Sequence, residues 1–267
     1  MSSKLLRHPR RSAPDGVVQS ITPENAGWSY VGFEAVDLTA GQAMERHGDG
    51  RELCLVLLSG RALITVGNDD LGELGGRGSP FEGPGDAVYI PPWTDWRAVA
   101  QGNVELALCA SPAPKGGVAT RVIRASEIET LDRGSGTNLR HVRNILPDNA
   151  PAETLLVVEV VTPGGHWSSY PPHKHDTDIP GQETYLEETY YHRLARGSGF
   201  ALQRVYTEDG SLDETMAVGD RDVVLVPRGY HPVGAPHGFD LWYLNVMAGP
   251  VRAWQFTMSP DHAHLPY

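Results

Sequence analysis

The sequence predicts an all-β protein built from two related barrels, and three observations carry that prediction. Short runs rich in Val, Leu and Ile recur along the 267 residues, each closed by turn residues. Gly and Pro are abundant, at 30 and 21, which suits many short strands joined by tight turns better than long helices. One pattern occurs twice, as Gly85-Asp86-Ala87-Val88-Tyr89-Ile90-Pro91 and as Arg221-Asp222-Val223-Val224-Leu225-Val226-Pro227. Each copy is an acidic turn, a buried strand and a proline that ends it, the mark of one barrel-forming unit present in duplicate.

In chain order, the first half offers strands at Glu52–Leu58, Ala62–Val66 and Ala87–Ile90. They are bounded by Ser59-Gly60, Gly67-Asn68-Asp69-Asp70 and Pro91-Pro92. The stretch from Ser111 to Gly117 is too rich in Pro and Gly for the interior of a strand or helix, so it sets the expected boundary between domains 1–114 and 115–267. The second half continues with strands at Leu155–Thr162, Glu187–His192, Phe200–Thr207, Asp222–Val226 and Leu241–Met247. Helices should be few and short; Ser126–Asp132 is the best candidate, with Ser126 as cap and Glu127 and Glu129 in the first turn.

Composition narrows the function classes. A net charge of −11 repels polyanions, which argues against nucleic acid and anionic membrane as partners. A small carboxylate remains compatible, because a few local Arg or Lys donors decide that contact. The two cysteines, Cys54 and Cys109, form no C-x-x-C pair, so neither a disulfide framework nor a thiolate zinc site is expected, and a reducing compartment fits. Residues 1–12 carry Lys4, Arg7, Arg10 and Arg11 without an apolar run of signal-peptide length, and no apolar stretch approaches membrane-spanning length. The expectation is a soluble, cytoplasmic protein.

The chemistry concentrates in the second half. Pro171-Pro172-His173-Lys174-His175-Asp176 sets two imidazoles two positions apart, and in an extended segment such side chains share a face. Downstream lie the adjacent carboxylates Glu187 and Glu188 on a strand, and His231 just past the end of another. Three imidazoles and one carboxylate suit a borderline divalent ion and leave positions open for substrate. Glu188 is preferred to Glu187 because it shares a face with Tyr190 and His192; His237 is the rival to His231.

This arrangement resembles the cupin superfamily, the matching positions being Gly165, His173, His175, Glu188, Gly197, Pro227, Gly229 and His231. The fold class implied is a bicupin, two jelly-roll-like β-barrels. The first half keeps the shell without the ligands: Trp96 stands where the second-motif His belongs, His47 is alone where H-x-H should fall, and Glu52 and Gly60 echo the Glu-to-Gly spacing.

Longer runs sharpen the resemblance. Ser168 to Asp176, Leu186 to Arg193, Gly199 to Thr207, Leu212 to Met216, Val223 to Val233, Leu244 to Pro250 and Ala26 to Glu34 look like the 5-deoxy-glucuronate isomerase family of myo-inositol catabolism. That resemblance implies a metal-dependent aldose–ketose isomerase acting on a small sugar acid, with zinc or manganese foremost among the ions. It names His173, His175, Glu188 and His231 as ligands. Candidates for proton transfer are Glu187, Tyr190, His192 and Tyr243. Candidates for the substrate carboxylate are Arg204, Arg228, Arg252 and Lys174, although Lys174 sits between two ligands and should point away from them. Two rival functions share the ligand set: a cupin dioxygenase and a non-catalytic sugar-acid-binding bicupin. Homo-oligomerisation is compatible with such folds.

Overall fold

The computed structural model describes residues 3–11, 13–262 and 264–265. Among these the strands of the first half, numbered in chain order, are β1 (Leu6–Arg7), β2 (Val17–Ile21), β3 (Gly32–Leu38), β4 (Ala43–Arg46), β5 (Arg51–Ser59), β6 (Arg61–Val66), β7 (Asp69–Gly75), β8 (Ala87–Ile90), β9 (Trp96–Ala100), β10 (Val104–Pro112) and β11 (Arg121–Ile123). The second half adds β12 (Glu129–Arg133), β13 (Arg140–Leu146), β14 (Leu155–Thr162), β15 (Trp167–Ser168), β16 (His173–Lys174), β17 (Glu187–Leu194), β18 (Ala201–Tyr206), β19 (Asp213–Val218), β20 (Val223–Val226), β21 (Val233–Gly234), β22 (Leu241–Ala248) and β23 (Thr257–Met258). The protein is all-β, as its composition requires; one four-residue α-helix, Pro23–Ala26, is present among the described residues.

The expected helix at Ser126–Asp132 does not form. A 3-10 turn occupies Ala125–Glu127, and the chain then enters β12. The reason is tertiary: Asp86 accepts the Ala125 N–H at 2.8 Å and pairs with Arg124, which fixes the start of this stretch as a turn against Asp86.

Two compact units are present. One comprises Arg10–Glu129 and Ile145–Val157. Its sheet β11-β8-β5-β10-β3-β2 and its sheet β4-β9-β6-β7 enclose a core to which Leu55, Leu57, Leu106 and Leu108 contribute from one sheet, and Ile64, Trp96 and Ala98 from the other. Burying each such leucine contributes about 1.5–3 kcal/mol. Pro114 and Lys115, the expected domain boundary, lie inside this unit, whose first segment runs to Glu129. Two contacts explain the difference: Glu153 accepts the N–H groups of Lys115 and Gly116, and β11 pairs antiparallel with β8.

The other unit comprises Thr130–Asn144 and the chain from Val158 onward, together with the N-terminal residues up to Pro9. Its sheets run β1-β20-β17-β22-β14-β13-β12 and β15-β21-β18-β19, with β16 and β23 forming a separate ribbon. No helix among the described residues is long and apolar enough to cross a membrane.

Candidate active site

Strand alternation places the side chains. His173 and His175 point to one side of the β16 segment, and Lys174 turns to the other, where its Nζ meets Asp176 at 2.8 Å and Glu183 at 3.0 Å. On β17 the residues Glu188, Tyr190 and His192 share one face, and Glu187 lies on the opposite one. Past β20, Gly229 turns the chain with φ 84°, at a point where an added Cβ would sit 2.3 Å from the Tyr206 carbonyl oxygen. Only glycine fits that approach. The Gly229 N–H donates to Asp176 at 2.8 Å, which ties the loop carrying His231 to the segment carrying His173 and His175.

The result is a buried cluster. His173, His175 and His231 bring one ring nitrogen each within 4.8 Å of one another, and all three are buried. A Glu188 carboxylate oxygen lies 3.1 Å from Nε2 of His175 and 3.3 Å from Nε2 of His231. The Nδ1 atoms of His175 and His231 face the carbonyls of Leu186 and Gly229 at 3.1 and 2.9 Å, contacts that turn the Nε2 atoms of both rings inward. Nδ1 of His173 and Nε2 of His231 are buried without a hydrogen bond. Such nitrogens are costly to leave unsatisfied, and a shared cation satisfies them together. Burial holds His173 well below the ordinary imidazole range and His231 down at about 4, so both rings are neutral, the form that ligates. For His175 burial works the same way, but the Glu188 carboxylate outweighs it and raises the ring.

Beside the cluster lies a narrow cavity of about 20 Å³, lined by His173, Glu188, Tyr190, Tyr243 and Asn245 together with Arg133, Arg140 and Trp254. Tyr190 bonds Ser169 at 2.9 Å and Tyr243 bonds Ser168. Burial raises both phenols, Tyr190 well above its usual range and Tyr243 to about 12, so both keep their protons at neutral pH.

The KduI/IolB family model matches residues 5–265. The 5-deoxy-glucuronate isomerase of Geobacillus kaustophilus is 50% identical over 261 residues, covering 97% of this chain and 94% of that protein. The chain belongs to the KduI/IolB family. The crystal structure of an IolB-like protein from Salmonella typhimurium superposes with a TM-score of 0.94 at 50% identity, covering 97% of this chain and 98% of that one. More distantly, an oxalate decarboxylase of Bacillus subtilis with Mn(II) centres superposes with a TM-score of 0.68 at 16% identity, covering 100% of this chain and 82% of that one, a likeness of fold alone.

Strand register explains why, among the described residues, only one barrel of this family member carries the cluster. Glu188 pairs with Val226, the residue before Pro227; in the other unit Leu53 pairs with Ile90, the residue before Pro91. Leu53 therefore occupies the position of Glu188, and Glu52 that of Glu187. The correspondence continues inward: the pairs Tyr190–Asn245 and His192–Tyr243 are matched by Leu55–Leu108 and Leu57–Leu106. One barrel interior is a ladder of leucines where the other is a ladder of polar groups. Trp93, at φ 62°, repeats the turn of Gly229, which places Asp95 rather than Trp96 at the position of His231. Trp96 instead packs in the core.

Of the residues named from the sequence, His173, His175, Glu188 and His231 come together. His237 is exposed. Tyr190 and Tyr243 line the cavity, whereas His192 lies behind them, stacked on Tyr190 at 5.9 Å and bonded to Gln203 at 2.9 Å. Glu187 is buried on the far face of β17 and cannot reach a substrate in this cavity. The four cations named for the carboxylate do not line it either. Lys174 is held by Asp176 and Glu183, Arg204 is exposed and bidentate to Asp213, Arg228 is exposed and donates to Ser211, and Arg252 is half-buried in the segment after β22. Arg133 and Arg140 were missed, because they lie outside the recognisable motifs, as the last residue of β12 and the first of β13.

His192 makes one consequence measurable. Burial lowers its pKa from 6.5 to about 4. Between those values the unfolded chain binds a proton that the folded chain refuses, so stability is lost as pH falls from about 6.5 to about 4, by roughly 3 kcal/mol in full. Urea midpoints at pH 7 and pH 4.5 should therefore fall further apart in the parent than in His192→Asn; equal pH sensitivity would contradict this.

Proposed function

We propose that this protein isomerises 5-deoxy-D-glucuronate, an aldose acid, to the ketose 5-dehydro-2-deoxy-D-gluconate in cytoplasmic myo-inositol catabolism. One observation carries the proposal: a buried set of three imidazoles and Glu188 faces a cavity that also presents two protonated phenols. The family relatives named 5-deoxy-glucuronate isomerase support it. His173, His175, His231 and Glu188 would hold the divalent ion, zinc or manganese before others, as N- and O-donors of intermediate softness. When bound, that ion supplies Lewis-acid polarisation of the substrate carbonyl and its neighbouring hydroxyl.

The remaining work belongs to side chains. Aldose–ketose exchange removes a proton from the carbon beside a carbonyl, leaves negative charge on oxygen in an enediolate, and returns a proton to the former carbonyl carbon. Tyr190 and Tyr243, as neutral phenols, donate hydrogen bonds to that charge where water is excluded. Ser169 and Ser168 hold the two hydroxyls in place. His192, neutral and stacked on Tyr190, supports the ring and does not itself line the cavity.

The test is an isomerase assay on 5-deoxy-glucuronate with protein whose metal has been measured, removed by chelation and restored with zinc or manganese. Activity should vanish and return, and should persist without oxygen. Undiminished activity after complete metal removal would defeat the proposal, and a strict need for oxygen would favour a dioxygenase instead.

A further inference from the structure

The cavity beside the histidine cluster holds two cations that the motifs do not explain. Arg140 is 3% exposed, on the first residue of β13, and its Nη1 donates to the carbonyls of Asn138 and Tyr170 at 3.2 and 3.3 Å. Those bonds fix the plane of the guanidinium. It lines the same cavity as His173 and Tyr243, and its charge acts on both. Arg133, at the end of β12, lays its guanidinium over the Trp254 indole at 5.3 Å, and Trp254 lines the same cavity. Stacking on an indole fixes the orientation of a guanidinium.

The charges along the wall decide what such a cavity accepts. Arg133 and Arg140 are positive, Glu188 is the one carboxylate among the described lining residues, and His173 is neutral. With a divalent ion on the imidazoles the site is strongly positive. A neutral sugar gains less from that field than a carboxylate, which accepts charge-assisted hydrogen bonds from planar donors held in advance.

We infer that Arg133 and Arg140 form the carboxylate-binding end of this site and make it select sugar acids over the corresponding neutral polyols. The inference rests on the cavity being the substrate site of the proposed isomerase, and it assigns to these two residues the role that sequence alone gives to Lys174, Arg204, Arg228 or Arg252. The two arginines are binding residues; they do not move the reacting proton.

The test uses a probe that cannot isomerise. L-Gulonate carries a carboxylate and has no aldehyde; D-glucitol is its neutral counterpart. Calorimetric binding of both is measured on the full chain as purified, with metal content determined, in the parent and in Arg133→Gln and Arg140→Gln. The parent should bind L-gulonate more tightly than D-glucitol. Each variant should lose about 10–100-fold in L-gulonate affinity, as expected for a charge-assisted bond, with D-glucitol binding and metal content unchanged. Because Arg140 also holds two backbone carbonyls, Arg133→Gln carries the test if Arg140→Gln does not fold. L-Gulonate affinity equal to the parent's in the folded, metal-replete variants overturns the inference, as does equal parent affinity for the two probes. Selective, arginine-dependent L-gulonate binding by a protein that does not isomerise 5-deoxy-glucuronate would instead uphold the clamp and reject the isomerase.

Discussion

His173→Ala should abolish metal retention and lower isomerase activity by at least about 10³-fold, several kcal/mol of transition-state stabilisation. The ring is buried, neutral and centred 4.8 Å from the His231 ring, and its Nδ1 has no hydrogen-bond partner. Its ring packs against those of His231 and Phe256, and its polar partner would be the ion proposed to be shared with His175 and His231. Truncation removes one of three nitrogens that must act together, and the other two cannot close the gap, because each is held by a backbone carbonyl. The fold should survive, since no hydrogen bond of His173 holds neighbouring strands through its side chain. Metal analysis, the isomerase assay and thermal unfolding with and without added zinc separate these effects. Added zinc should raise the parent's unfolding temperature and leave that of the variant unchanged, by mass action on a site one protein has and the other lacks. A variant that keeps its metal and its activity would remove His173 from the site.

Glu52→Leu should be the most destabilising single change in the other unit, by roughly 3–5 kcal/mol, while leaving the histidine cluster's residues intact. Glu52 is fully buried and accepts the N–H groups of Glu153, Thr154 and Leu155 at 2.8, 2.7 and 2.8 Å, and the Tyr89 hydroxyl at 2.7 Å. One carboxylate thus satisfies a run of three backbone donors, of which Leu155 is buried and Glu153 and Thr154 are half-buried. Leucine fills the volume and leaves those donors orphaned, each at a cost of about 1–3 kcal/mol before relaxation. Differential scanning calorimetry should show a transition lowered by about 6–15 °C. A shift under about 2 °C would mean that the donors find other partners. The residue that sequence spacing offers as a relic of a metal ligand is, in the structure, the anchor of the segment Ile145–Val157.

How much of this was legible beforehand depends on the range of the interactions involved. Strand positions follow from local apolar patterning and turn residues, so Ala87–Ile90 and Leu155–Thr162 appear where the sequence puts them. The proposed ligands were legible for the same reason. The two-residue period of an extended chain puts His173 and His175 on one side and Lys174 on the other, and it separates Glu188 from Glu187. The leucine ladder of the other barrel was also in the sequence, as Leu53, Leu55, Leu57, Leu106 and Leu108, but could be matched to Glu188, Tyr190, His192, Tyr243 and Asn245 only once register was known. A one-residue slip exchanges the two faces of a strand, which is how Glu52 was set against Glu188 and Trp96 against His231.

The sequence by itself determined an all-β chain in two related halves, with its histidine and carboxylate chemistry confined to the second. Alternation, turn chemistry and a duplicated pattern are properties of neighbouring residues and need no third dimension. Only the tertiary structure decided that Arg133 and Arg140, not the cations flanking the motifs, meet the histidine cluster, and that Lys115 to Glu129 belong with the first barrel. Those outcomes depend on which strands become neighbours in a sheet. They also depend on which buried groups find partners far away in the chain, such as Glu52 with Thr154 or Asp176 with Gly229, and local sequence encodes no such pairing.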